Sequence, residues 1–218
     1  MTVFITRDLS ADSIFYHELT ALGHTVIGRS ILRFEGLPFA TIPACDWWFF
    51  YSPRGVRYFY DSLSESGPGK KIATIGARTA AVVREQGGAV HFTGIGSPEE
   101  IAREFRQQLH PSETVLFVRA EESRRSVQQH LSADRQEDLI VYRSLPIPRE
   151  IPPAELLVFT SPLNYRSFLE SNTIHPRQRI IAIGPTTAAA IGKRCSAVAP
   201  RPEERFLTDF VKTFLENF

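Results

Sequence analysis

The chain repeats itself, and the repeat constrains every fold it can adopt. FYSPRGVRYF at 50–59 aligns with FTSPLNYRSF at 159–168, and IATIGARTAAVV at 72–83 aligns with IAIGPTTAAAI at 181–191. Each pair reads strand, Ser-Pro, helix, strand, Ile-Gly, Thr-Ala, helix. A weaker repeat pairs VFITR at 3–7 with VLFVR at 115–119, each running on into a predicted helix. Strands that alternate with helices predict a mainly parallel sheet covered by helices, and a duplicated unit predicts two similar domains. With 218 residues there is room for both. Along the chain the order is A1, B1, A2, B2, which by itself leaves open which A joins which B.

Two β-prone segments, SILRF at 30–34 and LIVYRSL at 139–145, read as crossings. Prolines follow each: Pro38 and Pro43 after the first, Pro146, Pro148, Pro152 and Pro153 after the second. Proline-rich exits suit linkers. Two crossings predict a chain that leaves its first domain, builds the second and returns. The expected fold class is therefore α/β: two similar parallel-sheet domains joined by a two-stranded linker, the first domain discontinuous. Its boundaries are 1–29 with 148–218, then 40–138, with 30–39 and 139–147 as linker.

Ser52-Pro53 and Ser161-Pro162 open helices at strand ends, as do Gly76-Ala77-Arg78-Thr79 and Gly184-Pro185-Thr186-Thr187. Carboxyl ends of parallel strands form the usual ligand crevice. Helix starts offer free N–H groups and a positive dipole end to anions. Four such starts are expected to hold a polyanion in one cleft. The simpler account of each serine is a helix cap, and of each glycine a tight turn. Arg7 and Arg119 end the two A strands, and Arg54 follows Ser52-Pro53. A guanidinium there can fork onto a carboxylate or merely be solvated. Lys70-Lys71 reads as an ordinary exposed pair. Tyr142, on the second crossing, offers a phenol as proton or hydrogen-bond donor, with plain aromatic packing as the alternative. Ser97-Pro98-Glu99-Glu100 is a capping box, and the last helix, about 202–216, sets Phe206, Leu207, Phe210, Val211, Phe214 and Leu215 on one packing face.

Composition excludes several classes. Lys plus Arg is 25 against 24 Asp plus Glu, which argues against nucleic acid as a partner. Two cysteines without a CxxC fit a reducing cytoplasm. Arg7 and Asp8 interrupt any signal-peptide core, and no run is apolar enough for a membrane. The six histidines form no HxxxH or HExxH, so no metal site is expected.

Taken in order, FYSPRGVRYF (50–59), IGARTAA (75–81), LFVRAEESR (116–124), IVYRS (140–144), LLVFTSPLNYRSF (156–168) and IAIGPTTAAAI (181–191) resemble the uroporphyrinogen-III synthase family over nearly the whole chain. The resemblance implies that A1 joins B2. It implies a lyase of tetrapyrrole and heme biosynthesis, a cytoplasmic monomer without cofactor or metal. Its substrate would be hydroxymethylbilane, a linear tetrapyrrole bearing acetate and propionate arms. The enzyme expels the terminal hydroxyl as water, inverts the last ring through a spiro intermediate and closes uroporphyrinogen III. Uncatalysed closure gives the non-inverted type I isomer. The family's linker tyrosine, matched by Tyr142, is the expected catalytic residue. Arg7, Ser52, Arg54, Thr79, Arg119, Ser161, Arg179, Thr186 and Thr187 are the expected substrate-binding residues. Tyr51 stands where the family usually has Thr, and Leu163-Asn164-Tyr165 is bulkier than the small residues common there. The alternative is a non-catalytic tetrapyrrole-binding or regulatory module on the same scaffold.

Overall fold

A computed structural model describes residues 1–63, 69–201 and 203–217. The chain divides into two compact units, one of residues 1–33 with 145–218 and the other of 34–144.

The first unit is built on β1 (Thr2–Ile5), α1 (Ile14–Ala21) and β2 (Thr25–Gly28). The second follows with β3 (Leu32–Gly36), β4 (Trp47–Phe50), α2 (Pro53–Asp61), β5 (Lys71–Ile75), α3 (Gly76–Glu85), β6 (Val90–Gly94), α4 (Pro98–Gln108), β7 (Val115–Ala120) and β8 (Gln136–Pro146). The chain then completes the first unit with β9 (Leu156–Phe159), α5 (Pro162–Leu169), β10 (Arg179–Ala182), α6 (Pro185–Ile191), β11 (Ala197–Val198) and α7 (Glu204–Glu216). Strand order is β11-β10-β9-β1-β2 in the first unit and β3-β8-β7-β4-β5-β6 in the second. The repeat is visible in these orders. β10, β9 and β1 occupy the places that β5, β4 and β7 occupy in the other sheet. Pairing is parallel from β11 to β2 and from β8 to β6.

Strand alternation divides each core in two. In the second unit Trp48 and Phe50 point to Val56, Phe59, Val82 and Val83 of α2 and α3, while Trp47 and Phe49 point to Ile101 and Phe105 of α4. In the first, Val3 and Ile5 meet Phe15, Leu19, Leu207 and Val211 of α1 and α7, while Phe4, Leu157 and Phe159 meet Phe168 and Ile191 of α5 and α6. A strand buried on both faces must be apolar at every position, which is why WWFF and LLVF can occupy the sheet centres.

The two crossing segments are strands, as their β-prone sequences suggest: β3 neighbours β8 in the second sheet, β8 pairs with β7 as far as Tyr142, and Leu139 and Val141 are core residues. The structure corrects three details. No α-helix follows β7, where only two short 3-10 turns at 128–130 and 133–135 precede β8. Phe206 is 44% exposed and lies against Arg201 rather than in the core of its helix face. Lys70-Lys71 is not merely solvated: Lys71 donates to Glu113 at 2.6 Å and Lys70 to the Cys45 carbonyl. No helix among the described residues is long and apolar enough to cross a membrane.

Candidate active site

In both sheets the strand order reverses beside the strand that precedes a Ser-Pro turn. β4 has β5 on one side and β7 on the other, and β9 likewise lies between β10 and β1. Such a switch point leaves room for a ligand beyond the carboxyl ends of the strands.

In the second unit, β4 delivers Ser52 to this end. Its backbone is extended and its Oγ accepts from the Gly55 N–H at 3.1 Å, so it caps α2. The same oxygen lies 3.2 Å from the Tyr142 hydroxyl, and either can donate. Tyr142 is 7% exposed, stacked on Tyr58 with centroids 5.4 Å apart and edge-on to Phe34. Its aim follows from an irregularity in β8. Arg119 pairs with Ile140, but the next residue, Ala120, pairs with Tyr142, so β8 carries one extra residue. Val141 and Tyr142 are adjacent in sequence yet share one core with α2.

A recess of about 470 Å³ adjoins the pair, lined by Ser52, Pro53, Arg54, Arg57, Tyr58, Asp61 and Arg78. Arg54 is exposed, and its guanidinium carbon lies 3.3 Å from the Phe34 ring centroid. Arg57 and Arg78 are absent from the residues expected to bind. The signal available was the spacing of Arg54, Arg57 and Asp61, which shares one helix face.

The remaining predicted residues divide by place. Ser161 ends β9 in the same way as Ser52 ends β4, capping α5 through the Asn164 N–H at 3.1 Å. Arg7 follows β1 on the neighbouring strand and lies 3.7 Å from Glu204. Thr186 is exposed at the start of α6, and Thr187 behind it is 3% exposed. Thr79, on α3, is equally buried. Two expectations need correction. Arg119 is 4% exposed and its guanidinium is fully engaged: it forks onto Asp138 at 2.8 and 2.9 Å and donates to the Ala120 and Glu121 carbonyls. It ties β7 to β8 and has no fork left for a carboxylate. Arg179 begins β10, so it sits at the amino end of a parallel strand, the opposite edge of the sheet from Ser161 and Gly184.

A buried network lies beneath the end of β7. Asp138 also accepts from Arg125 at 2.6 Å and from the Gln128 side-chain Nε2 at 2.9 Å. Burial alone would raise its carboxyl pKa, but hydrogen bonds from Arg119 and Gln128 and the charges of Arg119 and Arg125 outweigh it and hold it low. The Gln128 N–H donates to the Tyr51 hydroxyl at 3.2 Å, and burial pushes that phenol up to about 12. Tyr51 is thus a neutral brace. Among the described residues no group of three or more His, Cys, Asp or Glu could hold a metal ion.

A family model described as uroporphyrinogen-III synthase HemD matches residues 15–209. Among solved structures, the uroporphyrinogen-III synthetase from Helicobacter pylori is similar with a TM-score of 0.69 at 18% identity, covering 98% of this chain and 100% of that one. A mutant uroporphyrinogen III synthase from Thermus thermophilus gives 0.61 at 18% identity, covering 99% of each chain. At such identities the structural likeness is one of fold.

Proposed function

Since the chain belongs to the uroporphyrinogen-III synthase family, we propose that it cyclises hydroxymethylbilane to uroporphyrinogen III, with loss of water and inversion of the last ring. The observation that carries this reading is the Tyr142–Ser52 pair beside an arginine-lined recess. The substrate is a flexible polyanion that closes unaided to the wrong isomer. The enzyme's task is therefore to hold it in the geometry of inverted closure and to assist departure of the hydroxyl.

Tyr142 is proposed as the donor to that leaving group. Ser52 Oγ receives the Gly55 N–H at the positive end of α2. Its own proton can then go to the Tyr142 oxygen, which leaves the phenolic proton for the substrate. Donation to the departing oxygen strengthens as charge develops there, so it favours the transition state over the bound substrate. Arg54 in the second unit, and Arg7, Ser161 and Thr186 in the first, are proposed to hold carboxylate arms. Thr79 and Thr187 are proposed to shape the turns that present backbone N–H groups, since both are buried. The stretches 1–29 with 148–218 and 40–138 are proposed as the two working domains of a cytoplasmic monomer that needs no cofactor.

The test is an isomer assay. Supplied with hydroxymethylbilane, the protein should yield the type III product, and Tyr142→Phe should lower that rate by about 10²-fold while type I rises. Binding without any excess of type III over the spontaneous product would mark a non-catalytic module instead.

A further inference from the structure

Arginines elsewhere in this chain are largely occupied. Arg119 and Arg125 grip Asp138, Arg143 pairs with Glu35 at 3.1 Å, and Arg205 bridges Glu18 and Asp209. The recess between α2 and α3 gathers three that are only loosely held. Arg54 has its guanidinium carbon 3.3 Å from the Phe34 ring centroid, a cation–π contact that leaves N–H groups available to an acceptor. Among the described residues Arg57 reaches only Glu85, at 4.0 Å, with both side chains more than half exposed; such a pair holds little energy and opens readily. Arg78 is exposed and makes no hydrogen bond or ion pair among the described residues. Against these three guanidiniums the lining sets, among the described residues, one carboxylate, Asp61, so the lining itself carries an excess of positive charge in a chain whose net charge is only +1. The recess, at about 470 Å³, falls within the range of small-molecule sites and exceeds what one carboxylate would fill.

We infer that this recess is a subsite for two neighbouring carboxylates carried on one small ring, with Arg57 and Arg78 as its anchoring cations beside Arg54. A planar fork matches a carboxylate bidentately, and two such forks on facing helices suit two acid arms better than one. Asp61, also in the lining, repels an anion seated against it. The identity of the ring as a pyrrole with acetate and propionate arms rests on the synthase reading; the two-carboxylate subsite does not.

The test uses the full chain with Arg57→Gln, Arg78→Gln, the double variant and the corresponding Lys variants, each checked for an unchanged unfolding midpoint. Type III formation is followed against hydroxymethylbilane concentration, and binding of 1,2,3,4-butanetetracarboxylate is titrated by calorimetry at low salt. Each Gln change should raise KM about fivefold to tenfold and the double change at least about thirtyfold, with kcat within twofold. Lys should recover part of the loss, as a point charge without the fork. Tetracarboxylate affinity should fall in parallel, and its salt dependence should flatten in the double variant. A double variant with KM and tetracarboxylate affinity within twofold of the parent overturns the subsite. If the parent makes only type I but loses tetracarboxylate binding on the double change, the subsite stands and the synthase reading falls. If the parent makes type III and the double change leaves KM unmoved, the synthase reading stands and the subsite falls.

Discussion

A serine hydroxyl has two lone pairs and one proton, and the two capping serines use them differently. Ser161 Oγ accepts twice from one neighbour, from the Asn164 N–H at 3.1 Å and from its Nδ2 at 2.9 Å, so its proton is left to donate outward. Ser52 accepts once and shares its remaining capacity with Tyr142. Ser161→Ala and Ser52→Ala should each cost about 1 kcal/mol of stability through the lost cap. In steady-state kinetics Ser161→Ala should raise KM, whereas Ser52→Ala should lower kcat. Equal kcat losses in both would refute the division of labour. Glu113 offers a test of pH. Hydrogen bonds first from Lys71 and then from the Trp47 indole hold its carboxyl at about 2. A depressed carboxylate stabilises the fold above its unfolded pKa near 4.5 and loses that contribution as pH falls toward 2. Glu113→Gln should therefore destabilise the fold to urea at pH 7, by about 1 kcal/mol, and the gap should narrow below pH 4.5 and close only as pH approaches 2. The Ser52 cap was legible in the sequence because a strand followed by Ser-Pro is a local pattern. Arg119 was not, because a buried, saturated arginine and a free one are the same letter. The difference lies in Asp138, nineteen positions away and brought alongside only by strand pairing.

Among the elements, every helix that begins at a Ser-Pro or Ser-Pro-Glu-Glu motif was visible, since Ser52, Ser97 and Ser161 all cap as their spacing requires. The edge strands β2, β6 and β11 were not. They are half-exposed and short, so they carry neither the apolar run of a central strand nor a clean alternation. The expected helix after β7 is replaced by a loop whose order comes from polar contacts. Arg125 there adopts a positive φ of 54°, a strained conformation for a residue with a side chain, and the ion pair to Asp138 offsets that strain. Arg119→Met should destabilise the protein by about 3 kcal/mol, because it strands a partly buried carboxylate. The loss should be smaller at low pH, where Asp138 can take up a proton. A thermal denaturation series from pH 7 to pH 3 reads both effects, and a loss that does not shrink on acidification would count against them.

At the scale of the molecule, duplication was legible as sequence and reappears as a shared strand order, but the ownership of the crossing segments was not. A β-prone run followed by prolines looks the same whether it bridges two bodies or edges one. Because the second unit is continuous and carries both of its cores, residues 32–146 expressed alone should fold with a single cooperative urea transition. Residues 1–31 alone should stay unfolded, since β1 has its partner β9 on the far side of that insertion. The two halves also differ in a way that no count of shared motifs reveals. β2 runs beside β1 in unbroken register, whereas β8, its counterpart, carries one residue more than β7 can match. Side chains along a strand obey parity, odd to one face and even to the other, and that single surplus residue reverses the parity for everything after it. The phenol faces the serine because the count is off by one. Point substitutions on either side would leave that arithmetic untouched, while an unbulged pairing of the same sequence would set Val141 opposite Ala120 and turn Tyr142 toward the other face. Of the twin domains, then, it is the one with the miscounted strand that acquired the tyrosine, and its sister, counting correctly, presents no such group.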